Sequence, residues 1–247
     1  MYHFGSDIEK YSRTDLIAVF DECYAVYQPV WDTLQKKVFY FEALLRHHEI
    51  KTASIINSCA YHNLWSELFM SMVKNVINVG KAIDAPISIN VSPSQVYNGT
   101  KLFQTLNNAV EDGLNLSNLI LEVTENEPIS DPINFRESAA ILNNMGVKLS
   151  LDDFGSCFSS IDALKIGGFK HVKIDRSLIS GICYNTNSQA SLAELIKYCG
   201  DSGLHLIAEG VECNEEIKYL QSVNINIMQG YFFSKPISAD ALKNIYS

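Results

Sequence analysis

The chain has 247 residues, 47% of them hydrophobic, with a formal net charge of −9. That length suits one large α/β barrel or two small domains, and the apolar fraction supplies a core and argues against disorder. The acidic balance argues against a nucleic-acid polymer as partner, because duplex DNA binds basic surfaces through counterion release, but it leaves room for a small phosphate ligand neutralised by metal ions.

No apolar run is long enough to span a membrane, and Met1 to Arg13 holds no apolar signal core. No membrane association is therefore expected, and the expected compartment is the cytoplasm. The cysteines Cys23, Cys59, Cys157, Cys183, Cys199 and Cys213 are scattered without a Cys-x-x-Cys pair. They read as free or buried thiols rather than as a zinc site or a disulfide framework.

In chain order, Arg13–Glu22 reads as a helix. Tyr24–Trp31 and Lys37–Leu45 read as strands joined by the polar turn Asp32–Lys36. So short a connection makes the two strands antiparallel. Ile87–Ser92 is a short β-branched strand, followed by helical spacing over Leu102–Val110. Leu119–Thr124 alternates as a strand, and Ile133–Met145 is a helix stopped by Gly146. Val147–Leu151, His171–Ile174, Leu204–Ala208 and Ile225–Met228 complete the strands. Ser160–Ile166, Ser191–Cys199 and Glu215–Val223 read as helices, and a last helix opens at Ser238 with an N-cap. Alternating strands and helices imply parallel strands with right-handed crossovers. The fold class is therefore a modified TIM-type (β/α)8 barrel with an antiparallel strand near its start. No Gly-x-Gly-x-x-Gly follows a strand, which weakens the rival doubly wound dinucleotide fold. The whole of residues 1–247 is expected to be one domain, with residues 1–23 a helical extension packed on the barrel.

Catalytic groups in such barrels project from the C-terminal ends of the strands. Glu42 lies in the second strand, Asn90 near the end of the third, and Glu122 and Glu125 at the end of the fourth. Asp152 and Asp153 follow the fifth, Lys173 ends the sixth with Asp175 beyond it, Glu209 and Glu212 follow the seventh, and Gln229 follows the eighth. Any one of these acids taken alone is ordinarily solvated or caps a helix, and Asp152-Asp153 before Phe154-Gly155 reads equally well as a turn. Together they converge on one mouth, where like charges raise one another's pKa unless cations relieve them. Oxygen donors suit hard ions such as Mg2+ or Mn2+. Two such ions ~4 Å apart would activate a water and stabilise both oxygens of an in-line phosphoryl displacement. The histidines point elsewhere: His47 and His48 are adjacent, and His171 and His205 lie in strands and read as satisfied packing residues. The aromatic run Val38–Phe41 likewise reads as core. A Gly-x-Ser-x-Gly nucleophile elbow is absent.

Eight short motifs, in this order, resemble the EAL-domain family of cyclic di-GMP phosphodiesterases. They are Tyr27-Gln28-Pro29, Glu42-Ala43-Leu44-Leu45-Arg46, Ile89-Asn90-Val91-Ser92, Glu122-Val123-Thr124-Glu125, Asp152-Asp153-Phe154-Gly155, Lys173-Ile174-Asp175, Ala208-Glu209-Gly210-Val211-Glu212 and Gln229-Gly230-Tyr231. The resemblance covers Tyr24 to Pro236. It implies a metal-dependent hydrolase that cuts cyclic di-GMP to the linear dinucleotide pGpG with Mg2+ or Mn2+, two ions being expected. The all-oxygen ligand set further predicts that Ca2+, larger and taking more ligands, binds the same carboxylates and inhibits.

The resemblance also implies roles. Glu42, Asn90, Glu122 and Asp152 are the expected core metal ligands, with Asp153 serving the second ion. Glu209 would orient the water and the metal shell, and Lys173 would sit by the attacking water. Glu212 and Gln229 would support the site on its substrate side, and Glu125 would hold the loop after Asp152. Gln28 and Arg46 would touch the ligand, since the guanidinium fork suits a phosphate. A homodimer is expected around the loop 155–160 and the helix after it. Three places depart from the family's usual pattern: a shortened segment His47–Ala60, which bears on the guanine pocket, and Cys157 and Lys170, which bear on dimer contacts. The rival reading is a non-catalytic cyclic di-GMP receptor or a protein-binding relative. Degenerate members usually lose metal ligands or the Lys, and this chain retains them.

Overall fold

The computed structural model describes residues 12–83, 85–124, 127–156 and 161–246. The first described element is helix α1 (Arg13–Asp21), opened by a capping box between Ser12 and Asp15. Its Leu16 and Phe20 are buried. Strand β1 (Tyr24–Asp32) then turns through Lys36, at φ 54°, into β2 (Lys37–Arg46). The two are antiparallel along their whole length, Tyr24 opposite Arg46 and Asp32 opposite Lys37. Helices α2 (Thr52–His62) and α3 (Trp65–Gly80) follow. Neither was among the elements expected from sequence. On α3, Leu68, Phe69, Met72, Val73, Val76 and Ile77 recur at helical spacing and are all buried.

The remaining elements repeat a strand–helix rhythm. They are β3 (Ile87–Val91), α4 (Pro93–Tyr97), α5 (Thr100–Glu111), β4 (Leu119–Val123), α6 (Pro132–Asn144), β5 (Lys148–Phe154) and α7 (Ile161–Ile166). After them come β6 (His171–Ile174), α8 (Arg176–Ile179), α9 (Thr186–Ser202), β7 (His205–Ala208), α10 (Asn214–Ser222), β8 (Ile227–Met228), β9 (Ile237–Ser238) and α11 (Ala239–Tyr246).

Strands β2 to β8 pair in parallel in chain order, and β1 closes the ring by pairing antiparallel with both β8 and β2. The result is an eight-stranded closed barrel with one reversed strand, as the hairpin at its start implied; β9 adds to the free end of β1. Such closure leaves the ring without an edge. Apolar side chains fill both sides of the wall. Val30, Tyr40, Ile120 and Ile207 pack together as a small cluster of their own, and a larger cluster joins the strands to the helices. Among the described residues, no helix is long and apolar enough to cross a membrane.

Candidate active site

Strand β5 runs three residues further than expected, so Asp152 and Asp153 lie within it rather than after it. Asp is a poor strand former. Pairing with β6 carries the strand on to Phe154 opposite Ile174, with an irregularity after Leu151. Asp153 takes a left-handed backbone, φ 55°, a region more open to Asp than to most residues. That kink leaves the side chain of Asp152 buried and that of Asp153 half-buried at the same strand end.

Lys173 stands at the centre. Its Nζ lies 2.6 Å from Glu209 Oε1, 2.8 Å from Glu122 Oε2, 3.0 Å from Asp152 Oδ1 and 3.4 Å from Glu42 Oε2, and its side chain is 1% exposed. The ammonium therefore gathers the four carboxylates around itself. Gln229 Nε2 donates to Glu42 Oε2 at 2.7 Å, and Asn90 Nδ2 donates to Glu42 Oε1 at 3.4 Å. Seven of the residues expected at one mouth, namely Glu42, Asn90, Glu122, Asp152, Lys173, Glu209 and Gln229, are thus brought together.

Electrostatics follow from the crowding. Burial pushes the Glu122 carboxyl up to about 8 against the pull of Lys173, with Glu42 and Asp152 adding repulsion. Burial also raises Asp153 to about 6, helped by Asp152 beside it. Asp152 and Glu209 are raised for the same first reason, with Lys173 opposing. Glu42 is buried as well, but Lys173, Gln229 and Asn90 together hold it below its ordinary value. Burial alone would discharge Lys173; the surrounding acids Asp152, Glu122, Glu209 and Glu42 keep it charged. One ammonium cannot neutralise all these carboxylates, so the site calls for protons or for cations.

The donor set fits cations. Ligand oxygens of Asp152, Asp153 and Glu209 lie within 4.8 Å of one another. The buried Asn90 Oδ1 and Gln229 Oε1 have no hydrogen-bond partner, and a buried polar atom left unpaired is costly. Every donor is oxygen, the chemistry of hard divalent ions.

The mouth opens into a cavity of about 410 Å3 lined by Gln28, Asp153, Asp175, Arg176, Glu212 and Tyr231 together with the central residues. Gln28 is buried and donates to the Ser234 carbonyl at 3.2 Å. Glu212 is exposed and pairs with Arg176 at 2.9 Å, so it forms part of the rim. Arg46 Nη1 donates to the Leu45 carbonyl at 2.7 Å, and the side chain lines a second, largely apolar cavity of about 250 Å3 with Thr52, Ile56, Trp65, Met72, Asn90 and Asp152. Glu125 and residues 157–160 of the expected dimer loop, Cys157 among them, lie outside the described residues.

Sequence reasoning missed Tyr40, whose hydroxyl donates to Glu122 Oε1 at 2.9 Å, and it gave Arg176 no role. No local pattern marks Tyr40, since an aromatic residue in a strand reads as core. His171 is buried as expected but is not satisfied, because its Nδ1 has no partner.

A family model described as the EAL domain matches residues 18–236. An uncharacterized protein of Mycobacterium tuberculosis H37Rv is 27% identical across 98% of this chain and 40% of its own length. The Escherichia coli K12 protein named "Probable cyclic di-GMP phosphodiesterase PdeG" is 29% identical across 90% of this chain and 46% of its own. Klebsiella pneumoniae BlrP1, solved in a calcium/cyclic di-GMP complex, superposes with a TM-score of 0.78 at 28% identity, over 87% of this chain and 56% of that one. BlrP1 was also solved with manganese and cyclic di-GMP. The chain spans less than half the length of these two curated relatives.

Proposed function

The chain belongs to the EAL domain family, and on that premise we propose that it hydrolyses cyclic di-GMP to the linear dinucleotide pGpG in a reaction dependent on Mg2+ or Mn2+. The observation that carries this reading is the convergence of Glu42, Glu122, Asp152 and Glu209 on the single ammonium of Lys173 at the mouth of the barrel. A site whose only task is to hold a ligand has no need of buried carboxylates that raise one another's pKa.

Glu42, Asn90, Glu122 and Asp152 would hold one ion, and Asp153 with Glu209 would serve a second. When bound, the ions supply Lewis-acid stabilisation of the phosphoryl oxygens and a more acidic water. The protein's own groups do the rest. Lys173, ion-paired to Glu209 at 2.6 Å, would donate to the attacking water from beside that pair, and Glu209 would orient the water as an acceptor. The water oxygen bonds to phosphorus, the bond from phosphorus to the 3′ oxygen breaks, and the 3′ oxygen leaves as a hydroxyl carrying a proton given up by the water. As negative charge builds on the phosphoryl oxygens, the fixed Lys173 ammonium offsets it without reorganising. Gln229 holds Glu42 in place, and Gln28, Arg46 and Glu212 act on the substrate side.

The test is to incubate the purified protein with cyclic di-GMP and Mg2+ or Mn2+ and follow the products by chromatography. Conversion to pGpG that stops on chelation is the expected result. Binding of cyclic di-GMP without product at either ion would make the protein a receptor.

A further inference from the structure

We infer that Tyr40 is a positioning residue that sets which divalent ion the site accepts, by occupying one oxygen of Glu122 and leaving the other for the metal. The inference rests on the metal-dependent reading above. Tyr40 lies on β2, two residues before Glu42, and is 0% exposed in the cluster with Val30, Ile120 and Ile207. Its hydroxyl donates to Glu122 Oε1 at 2.9 Å, while Glu122 Oε2 faces Lys173 Nζ at 2.8 Å. The two oxygens of one carboxylate are therefore held by two different kinds of group.

Those groups differ in how readily they yield. Lys173 sits on a flexible stem and has three other carboxylates within reach. Its hold on Oε2 gives way to a cation. The Tyr40 ring is fixed, stacked 6.4 Å from His171 at 17° and 5.7 Å from Phe39 at 56°. The Ser150 hydroxyl, beside Glu122 in register, makes no hydrogen bond, so among the described residues Tyr40 is the hydroxyl that engages this carboxylate. A carboxylate engaged in this way meets a cation through one oxygen. That favours Mg2+ or Mn2+, which need near-octahedral single-oxygen ligands. It disfavours Ca2+, which takes about 6–8 oxygens and accepts a carboxylate through both.

The test is calorimetric titration of Mn2+ and of Ca2+ into the metal-free wild type, Tyr40→Phe, Tyr40→Met and Glu122→Gln, with a thermal melt for each. Both Tyr40 variants should lose Mn2+ affinity by about 10-fold or more, the scale seen when a residue behind a ligand is removed. Their Ca2+ affinity should hold or rise. Equal losses for the two ions, or no change in either, would overturn the inference, as would failure of both Tyr40 variants to fold, because the hydroxyl would then be structural. Mn2+ binding to Glu122→Gln as tight as to wild type would overturn it while leaving the metal site standing. A wild type that binds neither ion would overturn the metal reading as well.

Discussion

Nζ of Lys173 lies 2.8 Å from Oε2 of Glu122, and neither side chain is more than 1% exposed. A buried ion pair of this kind is weak evidence for stability, because desolvation of both charges opposes their attraction. Its use is positional. The ammonium is fixed where the strand ends meet, and the carboxylates it holds are the ones a cation would claim.

Replacing Lys173 by Met keeps the stem and removes the charge. Lys173 acts on charge that develops in the reaction, so kcat should fall by ~100-fold or more, the scale of losing one preorganised donor. KM should change much less. Because the ammonium competes with cations for the same oxygens, Mn2+ affinity should hold or rise. Steady-state kinetics and calorimetry on one preparation check both; an unchanged kcat with a raised KM would make Lys173 a ligand-binding residue.

Glu42 accepts from both Gln229 and Asn90. Glu42→Gln retains the volume but replaces an acceptor oxygen with a donor that faces the Gln229 amide. Glu42→Ala removes the ligand altogether. Both should fold, and both should lose activity by ~100-fold or more, as expected when a reacting centre is displaced. The measurement is turnover beside a melting curve, and turnover within a few-fold of wild type would remove Glu42 from the site.

The raised Glu122 carboxyl predicts a pH dependence of stability. In the unfolded chain Glu122 loses its proton near its ordinary 4.5, but in the folded, metal-free protein only near about 8. Between these values the unfolded state holds fewer protons, so the Glu122 contribution makes stability fall as pH rises. Glu122→Gln should therefore melt at a temperature less sensitive to pH across that window than the wild type. Saturating Mg2+ should restore the wild type most at the upper end, since metal binding requires the deprotonated ligand. Equal slopes for the two metal-free proteins would contradict this.

Much of the fold and most of the site were legible in the sequence, because strand-end acids and strand–helix alternation are local patterns. The reversed first strand was legible too, from the short turn between Trp31 and Lys37. What was not legible depends on contacts made at a distance. Tyr40 and Glu122 are 82 residues apart in sequence, and nothing near either one announces the other. Strand β5 appeared to stop at Leu151 because two aspartates follow, and pairing with β6 overrides that weak preference. The hydrogen bond of Arg46 to the Leu45 carbonyl, and the cavity it lines with Asp152, likewise depend on packing that no local pattern announces.

Gly230 offers a test of how Gln229 is aimed. A Cβ on Gly230 would run into the backbone of Val211, to which this strand end is already bound through Val211 N and Gln229 O at 3.0 Å. Backbone yields less readily than a side chain, so Gly230→Ala should cost about 1–3 kcal/mol as overpacking. It should also shift Gln229 and loosen its 2.7 Å bond to Glu42. The expected result is a lower melting temperature together with weaker Mn2+ binding. A variant that melts and binds as wild type would show that the strand end relaxes freely.

Ca2+ should inhibit the hydrolysis although it binds the same carboxylates. Every donor gathered at the mouth is oxygen, so ligand type does not exclude the larger ion. Discrimination has to come from size and coordination number. Mg2+ prefers six ligands at about 2.0–2.1 Å, whereas Ca2+ takes more ligands at about 2.3–2.6 Å. The larger ion would need the carboxylates of Asp152, Asp153 and Glu209 further apart, and the water would then sit less well against Lys173. A displacement of this order costs roughly 100-fold in rate. Binding of cyclic di-GMP should survive, because neutralising the phosphates needs only the charge. The experiment is a titration of Ca2+ into a reaction at fixed Mg2+, with ligand binding followed in parallel. Rates should fall while binding holds. Undiminished hydrolysis with Ca2+ in excess over Mg2+ would mean that the centre is not governed by the coordination geometry of its oxygen ligands.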